Sequence, residues 1–342
     1  MTLSVKQGTY TGDGNATQAI TGVGFQPKVV FVRELVQTVG DDGGSFRIDT
    51  MGTNEGKKIG ANGAVSTDGV RVLGTDGFTV GNGASVNASG VAYYYLALGG
   101  DDVATGSYTG NDTDNRNITG VGFQPVWVGV AASGNTFAYF KPSSLAGDAS
   151  HSYSATANQA NRIQALQSDG FQVGTEAEVN TGANTYYWFA IKSSSKIVLN
   201  SYSGDGVDST NITTVGFYPQ AVIVKEIGAQ PGIMRVDSLT GDNTIKFTLA
   251  GAANLIQNLN SNGFQVGNDN ASNGTGGTYH YIAFTQSIAQ TITSSTYIHS
   301  GEVSRQPRIQ ETQYNLPNIA IVQNTPKITN ITNEQPRTLF FS

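Results

Sequence analysis

The sequence predicts an all-β protein: three tandem homologous β-sandwich or jelly-roll-like domains followed by an extended C-terminal arm. Three observations carry that prediction. The octapeptide ITGVGFQP stands at 20–27 and again, unchanged, at 118–125, with ITTVGFYP at 212–219. Gly fills 43 of 342 positions and only 13% of residues are charged. That composition suits short strands and tight turns, because Gly, Asn and Asp tolerate the backbone angles turns require. No amphipathic stretch rich in Ala, Leu, Glu and Lys offers a long helix.

Each octapeptide belongs to a longer block. Gly8-Thr9-Tyr10-Thr11-Gly12-Asp13-Gly14 precedes the first copy, Gly106-Ser107-Tyr108-Thr109-Gly110 the second, and Ser201-Tyr202-Ser203-Gly204-Asp205-Gly206 the third. After each octapeptide comes a β-branched and aromatic run: KVVFVREL (28–35), VWVGVAA (126–132) and QAVIVKEI (220–227). These read as strands starting just past a proline, which cannot sit inside a central strand. Next, FRIDT (46–50) and MRVDS (234–238) place Arg47 with Asp49 and Arg235 with Asp237, reading as same-face ion pairs; the middle copy has AYFKP (138–142). DGFTVG, DGFQVG and NGFQVG then begin at Asp76, Asp169 and Asn262, 93 residues apart both times. An aromatic strand closes each copy, at Tyr93–Ala97, Tyr186–Ala190 and Tyr279–Ala283, alternating large and smaller residues on two faces. A short helical turn is expected at SLAGDAS or AANLIQNL.

A period above ninety residues is too long for a solenoid unit and matches an independently folding domain. Six to eight strands per copy indicate a sandwich or jelly roll. The domains are set at 1–101, 102–194 and 195–287, with the arm at 288–342. Short connections at 99–105 and 192–199 favour compact packing, as a ring or a row, with modest polar contacts between domains.

The arm differs in composition. Its 55 residues hold four of the nine prolines (Pro307, Pro317, Pro326, Pro336) and one glycine, Gly301. Apolar clusters between the prolines are expected to anchor it on another protein by strand addition: Leu316, Ile319, Ile321 and Val322, then Leu339, Phe340 and Phe341.

Little points to catalysis. The three histidines, His151, His280 and His299, form no triad order or HExxH, and no phosphate loop appears. Asp13, Asp112, Asp114, Asp205 and Asp208 lie in oxygen-rich loops, but without EF-hand spacing, and turns favour these residues for local reasons. No catalytic, cofactor-binding or metal-binding residue is therefore assigned, and no cofactor is expected. Without cysteine, neither a disulfide framework nor a thiolate site can form. A net charge of −6 disfavours nonspecific nucleic-acid binding. No apolar run of membrane-helix length and no leader at Met1–Tyr10 are seen, so neither membrane nor secretion is expected. Exposed aromatics suggest a carbohydrate platform as an alternative, with Tyr94, Tyr187, Trp188 and His280 as contacts; Tyr94, Tyr187 and His280 are equivalent positions.

The combined motifs, Tyr-Thr-Gly-(Asp/Asn), ITGVGFQP, DGF-x-VG and the aromatic strand, resemble the β domain repeated in structural proteins of tailed bacteriophages. The resemblance covers about residues 7–287. It implies a non-enzymatic part of the virion, in tail fibres, baseplate-associated proteins or other components. The expected protein is a capsid decoration (cement) protein or related head or tail accessory, made in the host cytoplasm and carried on the particle's outer surface. Its expected partners are major capsid or tail proteins, in a homo-oligomer or multi-copy assembly. The alternative is a receptor- or carbohydrate-binding tail protein holding a host glycan.

Overall fold

A computed structural model describes residues 2–36 and 43–286. Within them lie 24 strands and one four-residue helix, as three repeats of the same eight strands. Repeat 1 comprises β1 (Ser4–Thr11), β2 (Gln18–Thr21), β3 (Pro27–Glu34), β4 (Ser45–Ile48), β5 (Lys57–Lys58), β6 (Val70–Gly74), β7 (Gly77–Val80), α1 (Ala84–Asn87) and β8 (Ala92–Gly99). Repeat 2 comprises β9 (Val103–Thr109), β10 (Arg116–Thr119), β11 (Pro125–Ala132), β12 (Tyr139–Pro142), β13 (His151–Ser152), β14 (Ile163–Gln167), β15 (Gly170–Val173) and β16 (Thr185–Lys192). Repeat 3 comprises β17 (Ile197–Ser203), β18 (Thr210–Ile212), β19 (Ala221–Glu226), β20 (Ile233–Val236), β21 (Ile245–Lys246), β22 (Ile256–Asn260), β23 (Gly263–Val266) and β24 (Thr278–Phe284).

Every repeat pairs two antiparallel sheets. In repeat 1 a five-stranded sheet runs β1-β8-β3-β4-β5 and a three-stranded one runs β2-β7-β6; repeats 2 and 3 copy both orders. Pro27 and Pro125 open β3 and β11, and the register shifts directly after each, as suits a residue with no ladder donor. AANLIQNL is not helical. It runs into β22, where a bulge between Ile256 and Asn258 lets both Ile256 and Leu259 reach the core. SLAGDAS forms turns and bends, and the helix lies instead at α1.

The octapeptide and the DGF-x-VG motif recur together because they bond to each other. Gly22 and Gly24, at φ +82° and +85°, donate their N–H groups to the Asp76 carboxylate at 3.1 and 2.6 Å. Gly120 and Gly122 do the same with Asp169. In repeat 3 Asn262 replaces the aspartate, Thr214 replaces the first glycine, and the Thr214 hydroxyl bonds Tyr281 instead, at 2.8 Å. The next glycine is forced: Gly77 has φ +152°, and a Cβ there would lie 1.9 Å from the Ile20 carbonyl oxygen. The Tyr-Thr-Gly opening is likewise tied to the aromatic strand. Tyr10 stacks on Tyr93, Tyr108 on Tyr186 and Tyr202 on Tyr279, at 5.3, 5.3 and 5.1 Å between centroids. All six hydroxyls donate to carbonyls of the loop between the last two strands of their repeat.

Each repeat has an apolar core between its two sheets, exemplified by Val30, Val32, Phe78, Tyr93 and Tyr95 in repeat 1. The other face of each five-stranded sheet is also buried. Val29, Phe31 and Leu96 of repeat 1, Trp127 and Phe189 of repeat 2, and Ile223, Met234 and Phe284 of repeat 3 join one cluster. Phe31 packs on Trp127 at 6.1 Å, Trp127 on Phe284 at 5.8 Å, and Tyr153 on Phe247 at 5.4 Å. Burial on both faces explains why β3, β11 and β19 read as near-continuous apolar runs. The expected modest, polar contacts between domains are thus corrected: the repeats meet through a large apolar core.

The contacts close into a ring. β4 of repeat 1 lies against β16 of repeat 2, and β20 of repeat 3 against β8 of repeat 1. Between repeats 2 and 3, Gly232 donates to the Tyr153 carbonyl at 3.0 Å and Asn158 to that of Ile227 at 2.7 Å. Between 3 and 1, Arg33 donates to the Lys246 and Leu249 carbonyls at 3.2 and 3.1 Å. The shared core is not three identical wedges. Counting from the aligned prolines, Val29 and Phe31 correspond to Trp127 and Gly129, and to Ala221 and Ile223. A Cβ on Gly129 would come within 2.2 Å of the Phe189 ring. Large and small residues are traded between copies to fill one interior.

Candidate functional site

The oxygen-rich loops satisfy themselves. Asp13 accepts from the Asn15 N–H at 2.8 Å and from the amide of Asn87, a fully buried side chain, at 3.0 Å. Asp205 accepts from Val207 N–H and from the Asn273 amide at 2.8 and 2.7 Å. These bonds, led by the backbone N–H in each case, hold both carboxyls below their ordinary range. Repeat 2 uses Asn111 and Asn180 for the same turn. Among the described residues no three His, Asp or Glu side chains converge on a metal position.

The ion pairs expected of Arg47 with Asp49 and Arg235 with Asp237 do not form. Arg47 donates to the carbonyls of Met51, Gly52 and Glu55. Arg235 donates to those of Leu239, Gly241, Asn243 and Ile256. Lys141 of the middle copy serves the same purpose, bonding Gly147 and Ala149 carbonyls at 2.7 and 2.6 Å. At this position every repeat therefore has a buried cation that gathers the carbonyls of the loop behind it, so AYFKP keeps the part played by its counterparts with a different cation.

Tyr94, Tyr187 and His280, expected on an exposed face, stand at the three seams between repeats. Tyr94 and Tyr187 are half-buried against the shared core, and His280 is buried. Burial, then Glu55 of repeat 1, pushes the Tyr187 hydroxyl upward. His280 Nδ1 lies 3.0 Å from the Ser144 hydroxyl, and its ring is 5.2 Å from that of His151. Trp188 is buried within its own repeat, edge-on to Phe171. The arm anchors Leu316, Ile319, Ile321, Val322, Leu339, Phe340 and Phe341 lie outside the described residues.

A polar groove that the sequence did not single out opens on repeat 3, about 590 Å³ in volume. Arg235 and Leu239 line it, together with Tyr218, Asp237, and Gln257 and Asn258 of β22. Tyr218 is 43% exposed, and its hydroxyl donates to the Asp237 carboxylate. Burial and that bond push the hydroxyl's pKa up to about 12. Repeat 2 has a smaller groove at the same place, about 350 Å³, lined by Gln124, Lys141, Ser143, Leu145, Gln164 and Ala165.

Comparison with protein-family models, with curated proteins and with solved structures gives no match.

Proposed function

We propose that the chain is a non-enzymatic structural protein of a tailed-phage particle, a capsid decoration (cement) protein or related head or tail accessory. Each sheet pair is read as one β-sandwich with jelly-roll-like character, and residues 288–342 as the arm that attaches the block to capsid or tail proteins. The observation that carries this reading is the closed ring on a shared apolar core. Three fused copies make a trimer-like block that dilution cannot dissociate and that cannot exchange subunits. Such a block suits a site where several copies of an underlying protein meet around a local threefold axis. Cement proteins need that rigidity, because they stabilise particles by bridging subunits already in place.

Two measurements test it. Purified particles should contain the protein, and stripping it should lower their heat resistance. Truncation after Ser287 should leave a folded block that no longer binds particles. Absence from purified particles would end this reading. The second reading is a receptor- or carbohydrate-binding tail protein, and the groove beside Tyr218 is what favours it.

A further inference from the structure

The three repeats provide internal controls for one another: what all share serves the fold, and what one copy alone carries needs another reason. The buried cation under the groove is common to Arg47, Lys141 and Arg235, and Leu239 has its counterpart in Leu145. The rim is not shared. Tyr218 corresponds to Gln26 and Gln124, Asp237 to Asp49 and Ser143, and Asn258 to Val72 and Ala165. Only repeat 3 combines an aromatic ring, a carboxylate and an exposed amide around this groove.

We propose that the repeat 3 groove binds a neutral oligosaccharide. The Tyr218 ring is a flat apolar surface held in place by its bond to Asp237, suited to the C–H face of a sugar. Asp237 and the exposed Asn258 amide border the same space and provide acceptors and donors for hydroxyls. A volume of about 590 Å³ falls within the roughly 300–1,000 Å³ of small-molecule sites. The charge pattern selects against anions. Arg235 is 5% exposed and directs its bonds to four backbone carbonyls, while the carboxylates of Asp237 and Asp242 line the walls. A phosphate, sulfate or sialic acid would meet negative charge, with no exposed cation among the described residues that line the groove. A neutral polyol would not.

The test uses the full chain on a printed array of neutral di- to tetrasaccharides beside sulfated and sialylated ones. Retention of at least one neutral oligosaccharide is expected. Tyr218→Ala should weaken it about tenfold or more, which corresponds to about 1.4 kcal/mol; Tyr218→Trp should retain it. Gln124→Ala, the equivalent change in repeat 2, should have no effect. Thermal melts of each variant separate loss of the site from loss of fold, and Asn258→Ala, on an exposed side chain, provides a second variant. The proposal is overturned if no neutral glycan is retained, if anionic glycans are preferred, or if Tyr218→Ala binds as well as the parent. Particle association is read separately, so this site can fail while the structural role stands, and the reverse.

Discussion

Tyr153 carries a hydroxyl into the shared core, where it is buried and has no hydrogen-bond partner among the described residues. An unmet buried hydroxyl costs about 1–3 kcal/mol, and the equivalent residue of repeat 3 is Phe247. Tyr153→Phe is therefore expected to raise the urea midpoint; a clear loss of stability would show that the hydroxyl is satisfied. Trp127, wedged among Phe31, Phe189 and Phe284, should cost about 3–5 kcal/mol on truncation to Ala. Acid should weaken the fold through two histidines. His151 is fully buried, and neither ring nitrogen has a hydrogen-bond partner of good geometry among the described residues. It faces His280 from β24, Lys225 from β19, Lys141 from β12, and Asn158 from the loop beyond β13; Asp148 and Glu226 act on the two lysines. Burial first, then His280 and the two lysines, hold His151 well below the ordinary histidine value against the opposing pull of Asn158, and burial takes His280 to about 4. Between the unfolded value of about 6.5 and about 4, the unfolded chain binds more protons than the folded one. Stability must therefore fall as pH drops through that window. Replacing His280 with Tyr and His151 with Ile, the residues of equivalent positions, should flatten the decline in urea midpoint from pH 7 to pH 4.5. An unchanged slope would show that these histidines do not cause it.

At the scale of elements, the turn that joins the two recurring motifs makes a separable prediction. Asp76→Ala removes two N–H acceptors at once and should cost about 1–3 kcal/mol. Asn262→Asp should bring repeat 3 little, because Thr214 does not take the positive φ of Gly22 and Gly120, so the two-glycine turn that aims a pair of N–H groups at Asp76 is not repeated there. Equal effects at Asp76 and Asn262 would contradict the pairing. This coupling could be read from the sequence as co-recurrence, though not as contact. The strands themselves were legible, since β-branched runs, prolines and turn glycines mark them locally. What alternation could not show is what covers a strand's second face. It separates Tyr93 and Tyr95 from Tyr94, but an exposed face and one covered by another copy produce the same pattern. That is why Tyr94, Tyr187 and His280 were expected in solvent and lie at seams. The groove was hidden for a related reason: Tyr218 and Asn258 are forty residues apart in sequence and come to line one groove only in the folded repeat.

Across the molecule, three tandem copies close into one ring around a shared core. A common core should make unfolding cooperative, so calorimetry should give a single transition, with no clean proteolytic cut near residue 103 or 196. Separate transitions would indicate beads that merely touch. The sequence allowed either a ring or a row, because repeat spacing fixes the size of each copy and leaves the sign and angle of each junction open. The most direct test is electron–electron distance measurement between spin labels at Thr75, Ser168 and Ser261, exposed and equivalent turn positions 93 residues apart. The chain has no native cysteine, so pairwise cysteine variants can be labelled without background. A closed ring predicts three narrow distance distributions of similar mean. A row predicts two similar distances and a third far longer, and that result would contradict the account.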